Sequence, residues 1–223
     1  MLSMFKRGVV VAVVLATSTW LALAQNASPP QTQRKTSTPY TGDLSIFDSP
    51  GREDRLQINR VMDILGIAPG KNVADIGAGS GWFTVRASRR VTETGTVFAV
   101  DINPEAIHYI EKRAEKEHLH NVKPVLSKPD DPLLPANTID AALLLKTYHE
   151  VEKPVVLLRN LRASLRAGAR IGIIDRNGNG ANHGVGKDVV LREAAEAGYE
   201  LTGQYDFVKG DNMDYFLVFA AKP

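Results

Sequence analysis

Cysteine is absent from all 223 residues, which excludes a disulfide framework, a thiolate metal site and a cysteine nucleophile. Also missing is any stripe of basic residues. Lysine and arginine number 27 against 25 acidic residues, a balance that makes a poor phosphate-neutralising surface, so nucleic acid is not an expected partner. No internal repeat is visible, and long apolar runs are missing outside the N-terminus. What remains, 43% hydrophobic and 23% charged residues, is the composition of one catalytic-size globular domain.

The N-terminus departs from that composition. Lys6 and Arg7 precede a nearly uncharged run, Gly8 to Leu23, and Ala22-Leu23-Ala24 places small residues where a signal peptidase reads. This predicts a signal peptide over residues 1–24. A retained membrane anchor is the alternative, the run being near the lower limit for a bilayer span. Either way the basic residues precede the run, so the domain is expected outside the cytoplasm, periplasmic or secreted. Residues 1–24 carry two basic and no acidic residues, so 25 of each sign would remain and the net charge would fall to zero. Residues 25–48, with their Pro, Gln, Ser and Thr, read as a flexible tether, and residues 49–223 as the folded domain.

Within that domain the chemistry concentrates at Val73-Ala-Asp-Ile-Gly-Ala-Gly-Ser-Gly81. An apolar strand reaches Asp75, and Gly77, Gly79 and Gly81 then stand at alternate positions before a helix beginning near Trp82. Glycine lets a backbone approach a ligand closely and tolerates positive φ. About twenty residues on, a second strand, Thr96–Val100, ends in Asp101, whose carboxylate can accept hydrogen bonds from ribose hydroxyls. Dinucleotide sites use Gly-x-Gly-x-x-Gly; here Trp82 occupies the place of the third glycine, and an indole there argues against a bound pyrophosphate.

With Asp75 before the glycines, the segment resembles the first motif of class I S-adenosylmethionine-dependent methyltransferases, and the resemblance runs from Ser49 to the C-terminus. Ser49-Pro-Gly-Arg-Glu-Asp-Arg-Leu56 and Lys146-Thr-Tyr-His-Glu-Val151 add a likeness to small-molecule methyltransferases of the ubiquinone/menaquinone pattern. The resemblance implies S-adenosylmethionine as cofactor and a small-molecule acceptor. Arsenite methylation, also found on this scaffold, relies on cysteines that this chain lacks.

The periodicity predicts one helix over 51–65, a strand from Val73 into the glycine turn and another over 96–100, a helix from Asn103 to about Leu119, a strand over 121–126 and a buried strand over 138–145. Helix 154–167, strand 170–174, helix 187–197 and two closing strands, 199–207 and 213–221, complete the chain. Alternating β and α followed by a hairpin is an α/β, Rossmann-like order, and the resemblance implies seven mostly parallel strands with helices on both faces.

In such sheets ligands lie beyond the carboxyl ends of the strands. By resemblance the backbone of Gly77, Gly79 and Gly81 lines the methionine part of the cofactor, Asp75 lies near its amino group, Asp101 holds the ribose and Ile102 packs on the adenine. Relatives carry an acid after strand three where this chain has Lys128, so Asp130 is the candidate adenine partner, with a solvated turn carboxylate as the other reading. After strand four, the Asp/Asn-Pro-Pro-Tyr/Phe of base-modifying enzymes is absent, which again disfavours nucleic acid. His149 is the candidate general base, since histidine ordinarily titrates near neutrality, with Tyr148 shaping the pocket and Glu150 beside it. The other reading has these side chains brace the loop. His183 lies in a glycine-rich loop that could close over the site. His118-x-His120 stands at the polar end of a helix without cysteine partners and His108 sits mid-helix, so no metal site is expected. A non-catalytic adenosine-binding protein on the same scaffold is the second hypothesis and an NAD(P)-dependent oxidoreductase the third. Export sits uneasily with a charged cofactor made in the cytoplasm.

Overall fold

The computed structural model describes residues 34, 36, 40, 42–179 and 183–223. The leader expected over 1–24 lies outside them. Among the described residues no helix is long and apolar enough to cross a membrane.

Two helices, α1 (Arg52–Leu56) and α2 (Ile58–Leu65), replace the single one expected over 51–65. Gln57 between them is left-handed, with φ 52°. Burial explains the break: Leu56 and Ile58 are both fully buried, whereas residues two apart on a continuous helix point about 200° away from each other. Gly66, also left-handed, closes α2 as expected.

The sheet follows with β1 (Asn72–Ile76), α3 (Trp82–Val91), β2 (Thr96–Asp101), α4 (Pro104–Lys116), β3 (Val122–Leu126), β4 (Ile139–Leu145), α5 (Pro154–Ser164), β5 (Leu165–Asp175), α6 (Lys187–Glu196), β6 (Tyr199–Tyr205) and β7 (Tyr215–Ala221). The strand order is β3-β2-β1-β4-β5-β7-β6, and only β7 runs antiparallel to its neighbours. This is the expected Rossmann-like arrangement. Strand β5 begins earlier than its apolar run: Ile139 pairs with Leu165 and Ala141 with Arg170, so the exposed Arg166–Gly168 bulges out, with Gly168 at φ +79°.

Alternate residues of the central strands feed two cores. Ala74, Ala142, Leu144, Ile171 and Ile173 pack with Leu157, Leu158 and Leu161 of α5 and Val190 of α6. Val73, Val97, Ala141 and Leu143 pack on the opposite face with Val61, Leu65, Trp82 and Phe83. Strands buried on both faces need no polar alternation, which is why they read as unbroken apolar runs.

The tether boundary at residue 48 is too late. Leu44–Phe47 forms a 3-10 turn capped by Asp43, and Leu44 is buried. Further upstream, Arg34 donates to the Tyr148 carbonyl at 2.6 Å and to Glu193 at 2.6–2.7 Å. Both segments are part of the folded unit.

Candidate active site

The chain after β1 turns on three left-handed glycines: Gly77, Gly79 and Gly81 have φ of 74°, 55° and 73°. Their N–H groups are engaged. Gly77 and Ala78 donate to the Val100 carbonyl at 2.7 and 3.0 Å, and Gly79 donates to Asp101 Oδ2 at 2.9 Å. The absence of a side chain at 77 is a steric requirement, because a Cβ there would fall 2.2 Å from Thr147 of the loop after β4. Thr147 Oγ1 in turn donates to the Gly77 carbonyl at 3.3 Å. The turn after β1 and the loop after β4 are therefore one packed unit at the carboxyl edge of the sheet.

Asp101 serves two backbones at once. Its other oxygen accepts from Asn103 N–H at 2.9 Å, and Asn103 caps α4. A carboxylate has about four lone-pair sites, so capacity remains for ribose hydroxyls. Ile102 is 43% exposed, and Leu126, which pairs in register with Asp101, is 52% exposed. Both apolar side chains are left open to solvent at neighbouring strand ends.

Asp75 lies elsewhere in this arrangement. It is buried and accepts a 2.6 Å hydrogen bond from Thr84 of α3. Burial pushes its pKa up to about 7, against the lowering effect of Thr84. Asp130 is held by Lys153 at 3.2 Å, and its carbonyl accepts from Asn160; the geometry supports the turn-carboxylate reading for it. Trp82 packs in the core with the Arg52 and Arg86 guanidinium groups 4.6 and 3.9 Å from its ring, which are cation–π distances.

Sequence reasoning missed the clamp on the glycine turn. Asp48 accepts from Ser80 Oγ at 2.7 Å and from Arg113 at 2.8 and 3.0 Å, while Arg113 also donates to the Ser80 carbonyl. Phe47, beside Asp48, lies 3.6 Å from where a Gly79 Cβ would stand. No local pattern marks Asp48, because its partner is on α4.

After β4, Tyr148-His149-Glu150 forms a short 3-10 turn. Tyr148 is a correction to the catalytic set. It is fully buried, its hydroxyl donates to Glu193 at 2.9 Å, and burial followed by the Glu193 carboxylate holds its pKa well above the usual range. It braces α6. His149 is also buried, yet its ring is directed: Nδ1 lies 2.8 Å from Asp175 Oδ1, and its main-chain N–H donates to Asp175 Oδ2 at 3.0 Å. Nδ1–H donating to the carboxylate leaves Nε2 as the basic nitrogen, 3.3 Å from Glu150 Oε1. His183 Nδ1 reaches the same Glu150 oxygen at 3.2 Å. Asp175 was not singled out from sequence, although it ends an apolar strand just as Asp101 does.

Residues 73–168 match the family model described as Methyltransferase domain. The chain is similar to a protein-L-isoaspartate O-methyltransferase of Pyrococcus horikoshii, 27% identical over 96 residues, 43% of either chain. It is similar to the ubiquinone/menaquinone biosynthesis C-methyltransferase UbiE of Citrobacter koseri, 30% identical over 54% of this chain and 49% of that one. A nocamycin O-methyltransferase of Saccharothrix syringae is 30% identical over 57% of this chain and 46% of its own. The chain thus spans about half the length, or somewhat less, of these relatives.

Among solved structures, a methyltransferase from Aquifex aeolicus described as dependent on S-adenosylmethionine shares the fold with a TM-score of 0.72 at 24% identity, covering 79% of this chain and 95% of that one. Aeropyrum pernix fibrillarin, solved with natively bound S-adenosyl-L-methionine, does so at 0.54 and 14% identity, covering 69% and 68%. The fold is the Rossmann-like methyltransferase fold. The residues present fit a nucleoside cofactor: a side-chain-free turn, a carboxylate with spare acceptor sites and exposed apolar side chains lie at consecutive strand ends.

Proposed function

We propose that this chain is a methyltransferase that transfers the methyl group of S-adenosylmethionine to a small-molecule nucleophile of quinol, phenol or lipid-headgroup type. The observation that carries the reading is the Asp101–Gly79 hydrogen bond, which joins the ribose candidate to the glycine turn and presents both at the carboxyl edge. Gly77, Gly79, Asp101 and Ile102 would hold the cofactor. When bound, it supplies an electrophilic methyl group on a sulfonium, so the protein's task is chiefly to place a nucleophile and exclude water. The His149 Nε2 atom, oriented by Asp175, is the group that activates the acceptor by taking its proton. Thr147, packed on Gly77, keeps the acceptor loop and the cofactor turn in one register.

The test is titration of the full chain with S-adenosylhomocysteine, adenosine and NAD, followed by a screen of quinols, phenols, amines and lipid headgroups with radiolabelled donor. Homocysteine-linked binding and label transfer support the reading. Adenosine binding without transfer to any acceptor favours the non-catalytic alternative, and NAD binding alone sinks both.

Location is a second part of the proposal. Residues 1–24 are read as an export signal, on the strength of Lys6-Arg7, the apolar run and Ala22-Leu23-Ala24. A fusion of residues 1–40 to a reporter active only outside the cytoplasm should be active. Finding the intact N-terminus on cytosolic protein would overturn export and remove the difficulty of cofactor supply.

A further inference from the structure

The loops after β4 and β5 bring together three groups that the sequence holds far apart. His149 Nε2 and His183 Nδ1 lie 3.3 and 3.2 Å from one oxygen, Glu150 Oε1, and all three ligand atoms fall within 4.8 Å of one another. Metal–nitrogen and metal–oxygen bonds of about 2.0–2.2 Å at tetrahedral or octahedral angles put neighbouring ligand atoms roughly 2.8–3.6 Å apart. The two observed separations are of that size. Two imidazoles and a carboxylate form a donor set used by zinc and other first-row divalent ions.

The surroundings supply an independent indication. Metal-bound histidines commonly give their other ring N–H to a carboxylate, which fixes the tautomer and raises ligand basicity. Asp175 does this for His149, with Nδ1 at 2.8 Å, and it is itself completely buried. Once Nδ1–H is committed to Asp175, a neutral His149 aims the lone pair of Nε2 at the Glu150 carboxylate. Two electron-rich atoms at 3.3 Å need a cation or a proton between them. The second histidine on the same oxygen favours the cation.

The loop that carries His183 is anchored at its base, where Val185 N–H donates to the Arg176 carbonyl and the Tyr215 hydroxyl donates to the Val185 carbonyl. His183 itself is on the open side, with a side chain 64% exposed, whereas His149 is closed in at 3%. An ion there would have coordination positions open toward solvent on the His183 side.

We propose that His149, Glu150 and His183 bind one divalent transition-metal ion, with Asp175 as the orienting carboxylate. With the ion in place Nε2 is a ligand and no longer the base; the ion would lower the pKa of a coordinated acceptor hydroxyl, whose proton leaves to solvent while the ion holds the oxygen. The acceptor would then be a molecule with an oxygen donor that can coordinate. That last step rests on the methyltransferase reading, whereas metal binding does not.

The experiment uses the purified full chain, stripped with chelator and titrated with Zn2+ against a chromophoric competitor, and with Co2+ followed by its visible absorption. One ion per chain is expected. His183→Ala and Glu150→Gln should each weaken Zn2+ binding by at least about tenfold, and Asp175→Asn by about 10–100-fold, while His118→Ala leaves it unchanged. Absence of stoichiometric uptake, or equal uptake by His183→Ala, overturns the site. S-adenosylhomocysteine affinity and melting temperature are measured on every variant. Metal uptake without cofactor binding would sink the methyltransferase reading alone, and the converse would sink the metal site alone. His183 is exposed, so its substitution keeps the test independent of folding.

Discussion

Asp175 takes two hydrogen bonds from a single residue, His149, one from the ring at 2.8 Å and one from the main chain at 3.0 Å. The carboxylate fixes the position of the residue and the direction of its imidazole together. Ring rotation would cost a buried, charge-assisted hydrogen bond. His149→Ala should therefore lower turnover by about 10²–10⁴-fold while S-adenosylhomocysteine affinity stays within about twofold. Asp175→Asn should give a smaller loss of turnover. A parallel fall in affinity and melting temperature, with turnover per bound complex unchanged, would reduce the pair to a brace.

Asp101→Ala removes the candidate ribose acceptor and releases the Gly79 and Asn103 N–H groups together. Cofactor binding should weaken by roughly 1.5–3 kcal/mol, the range for hydrogen bonds to a charged group. Calorimetric titration decides it, and unchanged affinity removes the ribose assignment. Gly79→Val adds a branched side chain at φ +55° with the Phe47 ring 3.6 Å from its Cβ, so it should bind more weakly still.

Asp75 makes stability depend on pH in an unusual direction for a carboxylate. Its pKa rises from 3.8 to about 7 on folding, so between those values the folded chain holds a proton that the unfolded chain releases. The contribution of Asp75 to stability is full below about pH 4, falls as pH rises toward 7 and is lost above that. At 1.4 kcal/mol per unit the full loss is of the order of 4 kcal/mol. Urea unfolding at several pH values should show this slope, and Asp75→Asn should flatten it and stabilise the protein at pH 8. A stability difference between wild type and Asp75→Asn that does not change with pH contradicts the burial argument.

Asp48→Ala opens the clamp that Ser80 and Arg113 close over the glycine turn. A loss of about 1–2 kcal/mol, or roughly 2–8 °C in melting temperature for a chain of this size, is expected along with weaker cofactor binding. Cofactor affinity that survives the loss would show the clamp to be structural only.

Elements whose partners are near in sequence were legible, and those set by distant contacts were not. The turn from β1 through Gly81 to α3, and Asp101 at the end of β2, announce themselves because glycine spacing and strand polarity are local properties. The break at Gln57 is not local, since it exists to bury Leu56 and Ile58 together. The early start of β5 depends on Ile139 finding Leu165. In the candidate site, His149 was visible as a residue type after a buried strand, but its partner Asp175 is 26 residues away. Tyr148 went wrong for the same reason: its hydroxyl answers to Glu193 on α6.

The contacts of Arg34 carry a consequence for processing. One guanidinium joins the Tyr148 carbonyl at the start of the acceptor loop to Glu193 on the helix behind it. A chain beginning at Gln25 keeps this strut, whereas one trimmed to residue 49 loses it together with Leu44 and Asp48. A cut on the C-terminal side of Arg34 would release the loop after β4 from this support.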